Sequence, residues 1–446
     1  MEPPVQGKKF QNFIYTLSEL SRSFQTFLLW FTFFCCGISD SVRGPTLLDL
    51  QDLVGEELRE VSTIFSLKSF GGLLGALITG VLVDHLQPSS SYLFLSIIYL
   101  FKSIFTLSLP FSPSLLVMQV VEFCYGFCHG GFHTVANPLL LRIWASRNSS
   151  PVLYAMHFMF GVGSVCTPII AGPFLRRETE ILDDLRGDNS TSSQLMAPEN
   201  IWTIKTLYPI VFFIMLLPVP FYIPFFLQER KEEVALRTKR DSLEGENFKS
   251  TDQPALSRTK EILLVLLMAS FYFAVSGVEN SFRSFAAAFG VNSSLRLSRT
   301  QAANALAVFY LTFALTRALL IPVSIYVSST LILSLSILTL IISTSVLTLG
   351  ADSSLTCLQV GLALTGAGVA SLFAAGILWT KSVIKFSNKI GGVICFSMRT
   401  SEQMFAYIVG GLVDTHPVSF LHLMSGTVSV ILLFFILMNV VSRFCK

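Results

Sequence analysis

One predicted helix of this chain carries four polar side chains that could act together. Glu122, His129, His133 and Asn137 are separated by seven, four and four residues. Residues at these spacings fall on one face of an α-helix, so the pattern predicts a single polar stripe. Such a stripe could line a cavity, where imidazole and amide groups hydrogen-bond a polar ligand. The alternative is that each side chain serves only packing and hydrogen bonding within its own helix.

His129 and His133 have the four-residue spacing of a metal-binding pair on a helix. A zinc protease site adds an acidic third ligand, and none accompanies this pair in the sequence. We therefore predict no metal site. The loops also lack a nucleophile elbow and a phosphate-binding glycine loop, so the sequence predicts neither an enzyme nor a bound organic cofactor.

Ionisable residues also fall inside long apolar stretches. A charge at the centre of a membrane helix costs about 2.5 to 3.5 kcal/mol, so it usually faces a protein interior or an aqueous cavity. Asp40 with Arg43, and Glu279 with Arg283, are three and four residues apart. This spacing predicts two structural ion pairs, each formed within a single helix. Further charges of this kind are Lys102, Glu122, Arg399 and Glu402.

The composition is that of a membrane protein. Of 446 residues, 52% are hydrophobic and 13% are charged, whereas soluble domains have about 25% charged residues. A membrane helix needs about 20 apolar residues, and the chain has twelve stretches of suitable length. We place them at residues 26–48, 62–83, 91–110, 114–140, 152–174, 203–227, 260–289, 300–326, 329–349, 354–380, 391–413 and 419–442.

A charged stretch divides these spans into two sets of six. Residues 228–258 are rich in Lys, Arg, Asp and Glu and lack an apolar face, which predicts a cytoplasmic linker. We therefore predict an all-α membrane protein whose two six-helix bundles are related by pseudo-two-fold symmetry. Its predicted parts are an N-terminal segment (1–25), a first bundle (26–227), the linker (228–258), a second bundle (259–442) and a tail (443–446).

The distribution of Lys and Arg predicts the orientation. The N-terminal segment, the linker and the tail are basic, which places both termini in the cytoplasm. Asn189 begins an Asn-Ser-Thr glycosylation pattern in a predicted outer loop, which favours the plasma membrane. The formal net charge of +3 is small and scattered, so the sequence does not predict nucleic-acid binding.

Several motifs resemble the major facilitator superfamily. Gly80 to Asp84, followed by His85, resembles the loop signature after the second span, which implies a gating role for Asp84 and His85. Residues 44–50, Gly-Pro-Thr-Leu-Leu-Asp-Leu, resemble the sodium-dependent glucose transporters, which form the type 4 group of major facilitator domain-containing proteins. Further similarities are Asn137 to Trp144, His157-Phe158 with Gly161, Gly163 and Pro168, Ala302-Ala303-Asn304, Phe309-Tyr310 and Trp379.

The resemblance implies uptake of a hexose such as glucose by alternating access, with sodium as the driving ion. The side chains that could then bind substrate are His129, His133, Asn137, His157, Gln301, Asn304 and Trp379.

His133 and Gln403 stand where the family usually has acidic residues. Asp40, Glu122 and Glu402 remain as candidates for coupling to sodium or to protons. The alternatives are a carrier of another small organic solute, including a proton-coupled one, and a membrane sensor that binds solute without transport.

Overall fold

The computed structural model describes residues 5–84, 90–145, 150–176, 203–240, 258–384 and 388–443, and their regular structure is helical. The first half contains α1 (Val5–Ser41), α2 (Leu47–Val54), α3 (Leu58–Val61), α4 (Thr63–Asp84), α5 (Ser90–Ser108), α6 (Leu115–Ile143), α7 (Ser150–Ala171), α8 (Ile204–Leu216) and α9 (Tyr222–Arg240). The second half contains α10 (Arg258–Asn292), α11 (Arg299–Tyr326), α12 (Ser329–Gly350), α13 (Leu355–Val383), α14 (Asn388–Thr415) and α15 (Pro417–Arg443).

Ten helical segments in the described residues are long and apolar enough to cross a membrane. One of them, Ile204–Lys231, joins α8 to the first part of α9. The other two long helices are α1, with 37 residues, and α14, with 28 residues. Charged side chains within α14 lower its apolar character. The described helices thus agree with the predicted two sets of six.

The first predicted span ends earlier than expected. The sequence predicts a helix to residue 48, but α1 stops at Ser41 and a turn leads into α2. Pro45 lacks a backbone N–H and disfavours helical geometry at Gly44, so the helix cannot continue through this pair. Gly55 then ends α2 with a left-handed backbone at φ 69°.

The predicted linker is partly helical. The sequence predicts that the structured first half ends at residue 227, whereas α9 continues to Arg240. Residues 228–240 contain Gln, Glu, Lys, Arg, Ala and Leu and no Gly or Pro, a composition that favours a helix even without an apolar face.

Glycines bring pairs of helices into backbone contact within the first half. A side chain at Gly37 of α1 would overlap the carbonyl of Phe160 on α7, and one at Gly163 of α7 would overlap the carbonyl of Phe34. Lipid gives no hydrophobic force between helices, so close packing over small residues provides much of their association. The bundle is therefore held by contacts that a larger residue would disrupt.

The two halves meet along a long interface. The main contacts across it are between α7 and α11, between α4 and α14, and between α3 and α14. Buried apolar side chains form one core that continues through both halves. We call the end of the bundle that carries α9's C-terminus the linker side, and the opposite end the α2 side.

Candidate functional site

A chain of charged side chains crosses the interface between the halves. Asp40 on α1 accepts hydrogen bonds from Lys68 Nζ on α4 at 3.0 Å and from Arg283 Nη2 on α10 at 2.9 Å. Arg283 also lies 3.6 Å from Glu279, one turn earlier on α10. Asp40 therefore binds one cation from its own half and one from the other half.

The expected pair between Asp40 and Arg43 does not form. Arg43 lies past the end of α1, where helical spacing no longer sets its direction. Its Nε instead donates to Glu122 Oε1 at 2.6 Å, and both side chains are fully buried. Its guanidinium also lies 3.6 Å from the centre of the Tyr125 ring. Glu122, a predicted ion-coupling residue, thus lies in a buried ion pair.

Glu402 forms a second polar centre at the interface. It accepts hydrogen bonds from Ser69 on α4 at 2.6 Å, from Arg399 on its own helix at 2.8 Å and from Asn280 on α10 at 3.0 Å. A small cavity of about 20 Å³ lies beside this carboxylate and is also lined by Lys68. That volume holds about one water molecule, so it is too small for an organic solute.

The polar stripe of α6 faces α1. His129 Nδ1 lies 4.0 Å from Cys36 Sγ, and the ring of His133 contacts Phe33 with 5.2 Å between centroids. Lys102 of α5 donates to the same Cys36 sulfur at 2.6 Å. Asn137 donates to the carbonyl of His133 on its own helix, which is the packing alternative considered for the stripe.

Cys36, His129 and His133 form a compact cluster of potential metal ligands. The possible ligand atoms of Cys36, His129 and His133 lie within 4.8 Å of one another, so a thiol from α1 stands where the sequence pattern lacked a third ligand. However, the Lys102 ammonium hydrogen-bonds that sulfur. A metal ion would have to displace this cation, so we interpret the group as a hydrogen-bonded cluster.

A larger cavity lies between the halves on the linker side. Its volume is about 230 Å³, just below the range of about 300 to 1,000 Å³ that is typical of drug-sized ligand sites. Tyr154 and His157 of α7 line it from the first half, and Arg317 of α11 and Phe373 of α13 line it from the second. The cavity combines a few polar groups with apolar walls, as small-molecule sites do.

Ion pairs close the interface on the α2 side. Arg299 at the start of α11 lies 3.1 Å from Asp49 and 2.8 Å from Asp52, both on α2. Asp49 also accepts a hydrogen bond from the backbone N–H of Arg176 at 2.8 Å. Burial raises the pKa of Asp49, and the charge of Arg299 partly offsets this increase. The halves are therefore joined on one side of the bundle, and the larger cavity lies on the other.

Comparison with known proteins agrees with this arrangement. Residues 29–295, more than half of the chain, match the Major Facilitator Superfamily. The chain belongs to this superfamily. It is 25% identical over 399 residues to Sodium-dependent glucose transporter 1A of Mus musculus, an alignment that covers 87% of this chain and 89% of the relative. It is 23% identical over 446 residues to Major facilitator superfamily domain-containing protein 4A of Xenopus tropicalis, with 90% and 88% covered.

Solved structures share this fold. A bacterial homologue of the human lysosomal transporter Spinster superposes with a TM-score of 0.63 at 11% identity, and the match covers 95% of this chain and 97% of that one. The predicted fold, family and lack of enzymatic activity are confirmed. This member of the major facilitator superfamily is an integral membrane transporter.

Several predicted site residues of this superfamily member lie away from the larger cavity. Gln301 and Asn304 are exposed in the first turns of α11, on the α2 side. Gln301 caps that helix, since its Oε1 accepts from the Ser298 N–H and its own N–H donates to Ser298 Oγ. Trp379 is 2% exposed within the core. Gln301 therefore has a capping role, and neither Gln301 nor Asn304 lines the larger cavity. Their assignment to the substrate site stays a prediction.

The remaining predicted residues have varied positions. His157 lines the larger cavity. Asp84 is the last residue of α4, while His85 and Asn189 lie outside the described residues. Sequence reasoning missed Lys68 and Arg317, although each is a lone basic residue inside an apolar stretch. That signal alone marks an intramembrane charge for examination.

Proposed function

We propose that this chain carries a small polar solute of the hexose type across the membrane by alternating access. The observation that supports this most directly is a cavity lined by both halves on the linker side, combined with ion pairs between the halves on the α2 side. In such a carrier, one half rotates against the other. This rotation would separate the ion pairs on the α2 side and expose the site to that side.

The nature of the solute is inferred from the relatives and from the cavity. A relative of similar length is named for sodium-dependent glucose transport. In the cavity, Tyr154, His157 and Arg317 can hydrogen-bond hydroxyl oxygens, while Phe373 offers an aromatic face. These features support a hexose-sized solute as the first candidate. We place the linker side on the cytoplasmic face of the membrane because of the charge distribution in the loops. The glycosylation pattern at Asn189 then lies outside, which favours the plasma membrane.

For coupling, the charges favour a facilitative carrier over a sodium-driven one. Each predicted coupling carboxylate has a cation beside it: Asp40 has Lys68, Glu122 has Arg43 and Glu402 has Arg399. A sodium ion or proton would compete with these fixed charges. We therefore expect uptake to persist without a sodium gradient.

The test is uptake of labelled glucose by vesicles that contain the purified protein, with and without an inward sodium gradient. His157→Ala should lower uptake, whereas His422→Ala, a matched change of an exposed histidine on α15, should not. Saturable uptake in both conditions supports the proposal. A strong stimulation by sodium would show that the coupling is wrong, and a lack of uptake would show that the solute is wrong.

Two alternatives give different results in the same vesicles. A solute sensor would bind glucose but would not exchange internal labelled glucose for external unlabelled glucose. A carrier of another organic solute would exchange that solute instead. The second alternative has a specific observation in its favour, which is the charge of the larger cavity.

A further inference from the structure

The charges inside the bundle do not balance. Away from its two ends, the described residues include six basic side chains, which are Arg43, Lys68, Lys102, Arg283, Arg317 and Arg399, and four acidic ones, which are Asp40, Glu122, Glu279 and Glu402. The acidic side chains pair with Lys68, Arg43, Arg283 and Arg399 respectively. Subtracting four pairs from six cations leaves Lys102 and Arg317.

These two cations have different surroundings. Lys102 is fully buried, donates to Cys36 Sγ and has the rings of Tyr99, Tyr125 and Phe132 within 5.6 Å of its ammonium. Arg317 is half-buried and lines the larger cavity. A solute in that cavity would therefore meet the charge of Arg317 and not that of Lys102.

Protein groups accept hydrogen bonds from only part of the Arg317 guanidinium. Its guanidinium lies 4.0 Å from the centre of the Phe313 ring, and its Nε donates to the carbonyl of Ala370 at 3.4 Å. Among the described residues, no carboxylate lies within 4 Å of it, although Glu279 attracts it from farther away, and its Nη groups have no hydrogen-bond acceptor. A guanidinium has five N–H donors, so four remain for a ligand.

We propose that Arg317 binds a carboxylate of the transported solute, which makes the substrate a sugar acid or a similar hydroxylated organic monoanion. The planar guanidinium matches a carboxylate through two parallel hydrogen bonds. A single cation in the cavity suits one negative charge better than the two of a phosphate ester. Tyr154 and His157 are left to bind hydroxyl groups. This inference rests on the proposed transport function and narrows its substrate class.

A structural role is the competing explanation for Arg317. Its stacking on Phe313 positions the side chain, and Arg317→Lys would keep the charge but lose both the stack and the fork. A purely structural arginine would affect neutral and acidic solutes equally. A substrate-binding arginine would affect the acidic solute selectively, so the comparison of two solutes separates the roles.

The experiment measures binding and exchange of glucose and of glucuronate, which differ by a carboxylate. Wild-type protein should bind glucuronate more tightly than glucose. Arg317→Gln should weaken glucuronate binding about 10- to 100-fold more than it weakens glucose binding, as expected for loss of a charged hydrogen bond. Arg317→Lys should fall between them. Arg296→Gln, on the exposed loop before α11, is the matched control and should behave as wild type.

Each outcome decides between the proposals. One outcome is that glucose is exchanged and that wild type and Arg317→Gln bind and exchange glucuronate equally well. This outcome overturns the carboxylate inference but still supports the transport function. Absence of exchange for both solutes rejects the proposed function. In that case binding is measured as the increase in Tm that glucuronate causes. If glucuronate does not increase the Tm of the wild-type protein, the carboxylate inference is also rejected. Elution of Arg317→Gln as a monodisperse species confirms that the variant is folded.

Discussion

Replacing Glu122 by Gln tests whether this residue serves structure or ion coupling. The substitution keeps the shape of the side chain but leaves Arg43 fully buried without its counter-charge. Two unit charges about 4 Å apart interact with about 4 kcal/mol at an effective dielectric constant of 20. Removal of one partner of a buried pair costs about 3 to 5 kcal/mol. Because Arg43 keeps the Tyr125 ring and the Ser39 carbonyl, we expect the lower end, about 3 kcal/mol.

Thermal unfolding of the purified protein in detergent measures this loss. For a domain of about 200 residues, 3 kcal/mol corresponds to a decrease in Tm of about 6 to 12 °C. The double variant Arg43→Met with Glu122→Leu replaces the pair by apolar side chains of similar volume. It should recover most of the loss, since such replacements are often neutral or stabilising.

The same variants examine the ion dependence of uptake. If Glu122 is structural, Glu122→Gln lowers the amount of folded protein but leaves the sodium and pH dependence of the remaining activity unchanged. A Glu122→Gln protein with wild-type Tm and an altered ion dependence would refute this reasoning. Glu122 would then be accessible and would act in coupling, and the Arg43 contact would not hold it throughout the cycle.

Three further changes test the closed side and the packing. Arg299→Gln removes the ion pairs to α2 and should therefore open the α2 side. The measurement is the distance between spin labels on Glu56→Cys and Arg296→Cys, in a protein without its native cysteines, and this distance should increase. An unchanged distance would contradict closure by these ion pairs. Burial raises the pKa of Asp49 on the closed side, so the closed state binds its proton more tightly and acidification should shorten the same distance. Gly163→Val should lower Tm more than Gly426→Val, where a side chain meets open space.

The periodicity of α6 is a local property, and the sequence predicts it well. Glu122 contacts Arg43 just past the end of α1, and His129 and His133 contact α1 itself, as their spacing on one helical face requires. What they contact there depends on the end of α1 and on the packing of a distant segment. Helical spacing alone therefore predicts the shared face but does not predict an ion pair, a thiol contact and a ring contact along it.

Some predicted site residues have a second, structural role. Gln301 could bind hydroxyl groups, but it follows Ser298 by three residues and forms a capping box at the start of α11. That pattern is readable in the sequence and explains the glutamine without a ligand. Arg317 shows the reverse case. No charged residue lies within one helical turn of it, so the spacing rule for helical ion pairs does not identify this residue.

The arrangement of ion pairs also bears on energy coupling. Asp40 and Glu122 each have a cation in the first half, and Glu279 and Glu402 each have one in the second. If the halves move as rigid bodies, the contact between Asp40 and Arg283 breaks, but Asp40 keeps Lys68 and Arg283 keeps Glu279. No carboxylate of this group then becomes an unpaired anion in either state. A sodium gradient could drive this carrier only if a pair within one half also opened, or if the ion were held by uncharged oxygen atoms.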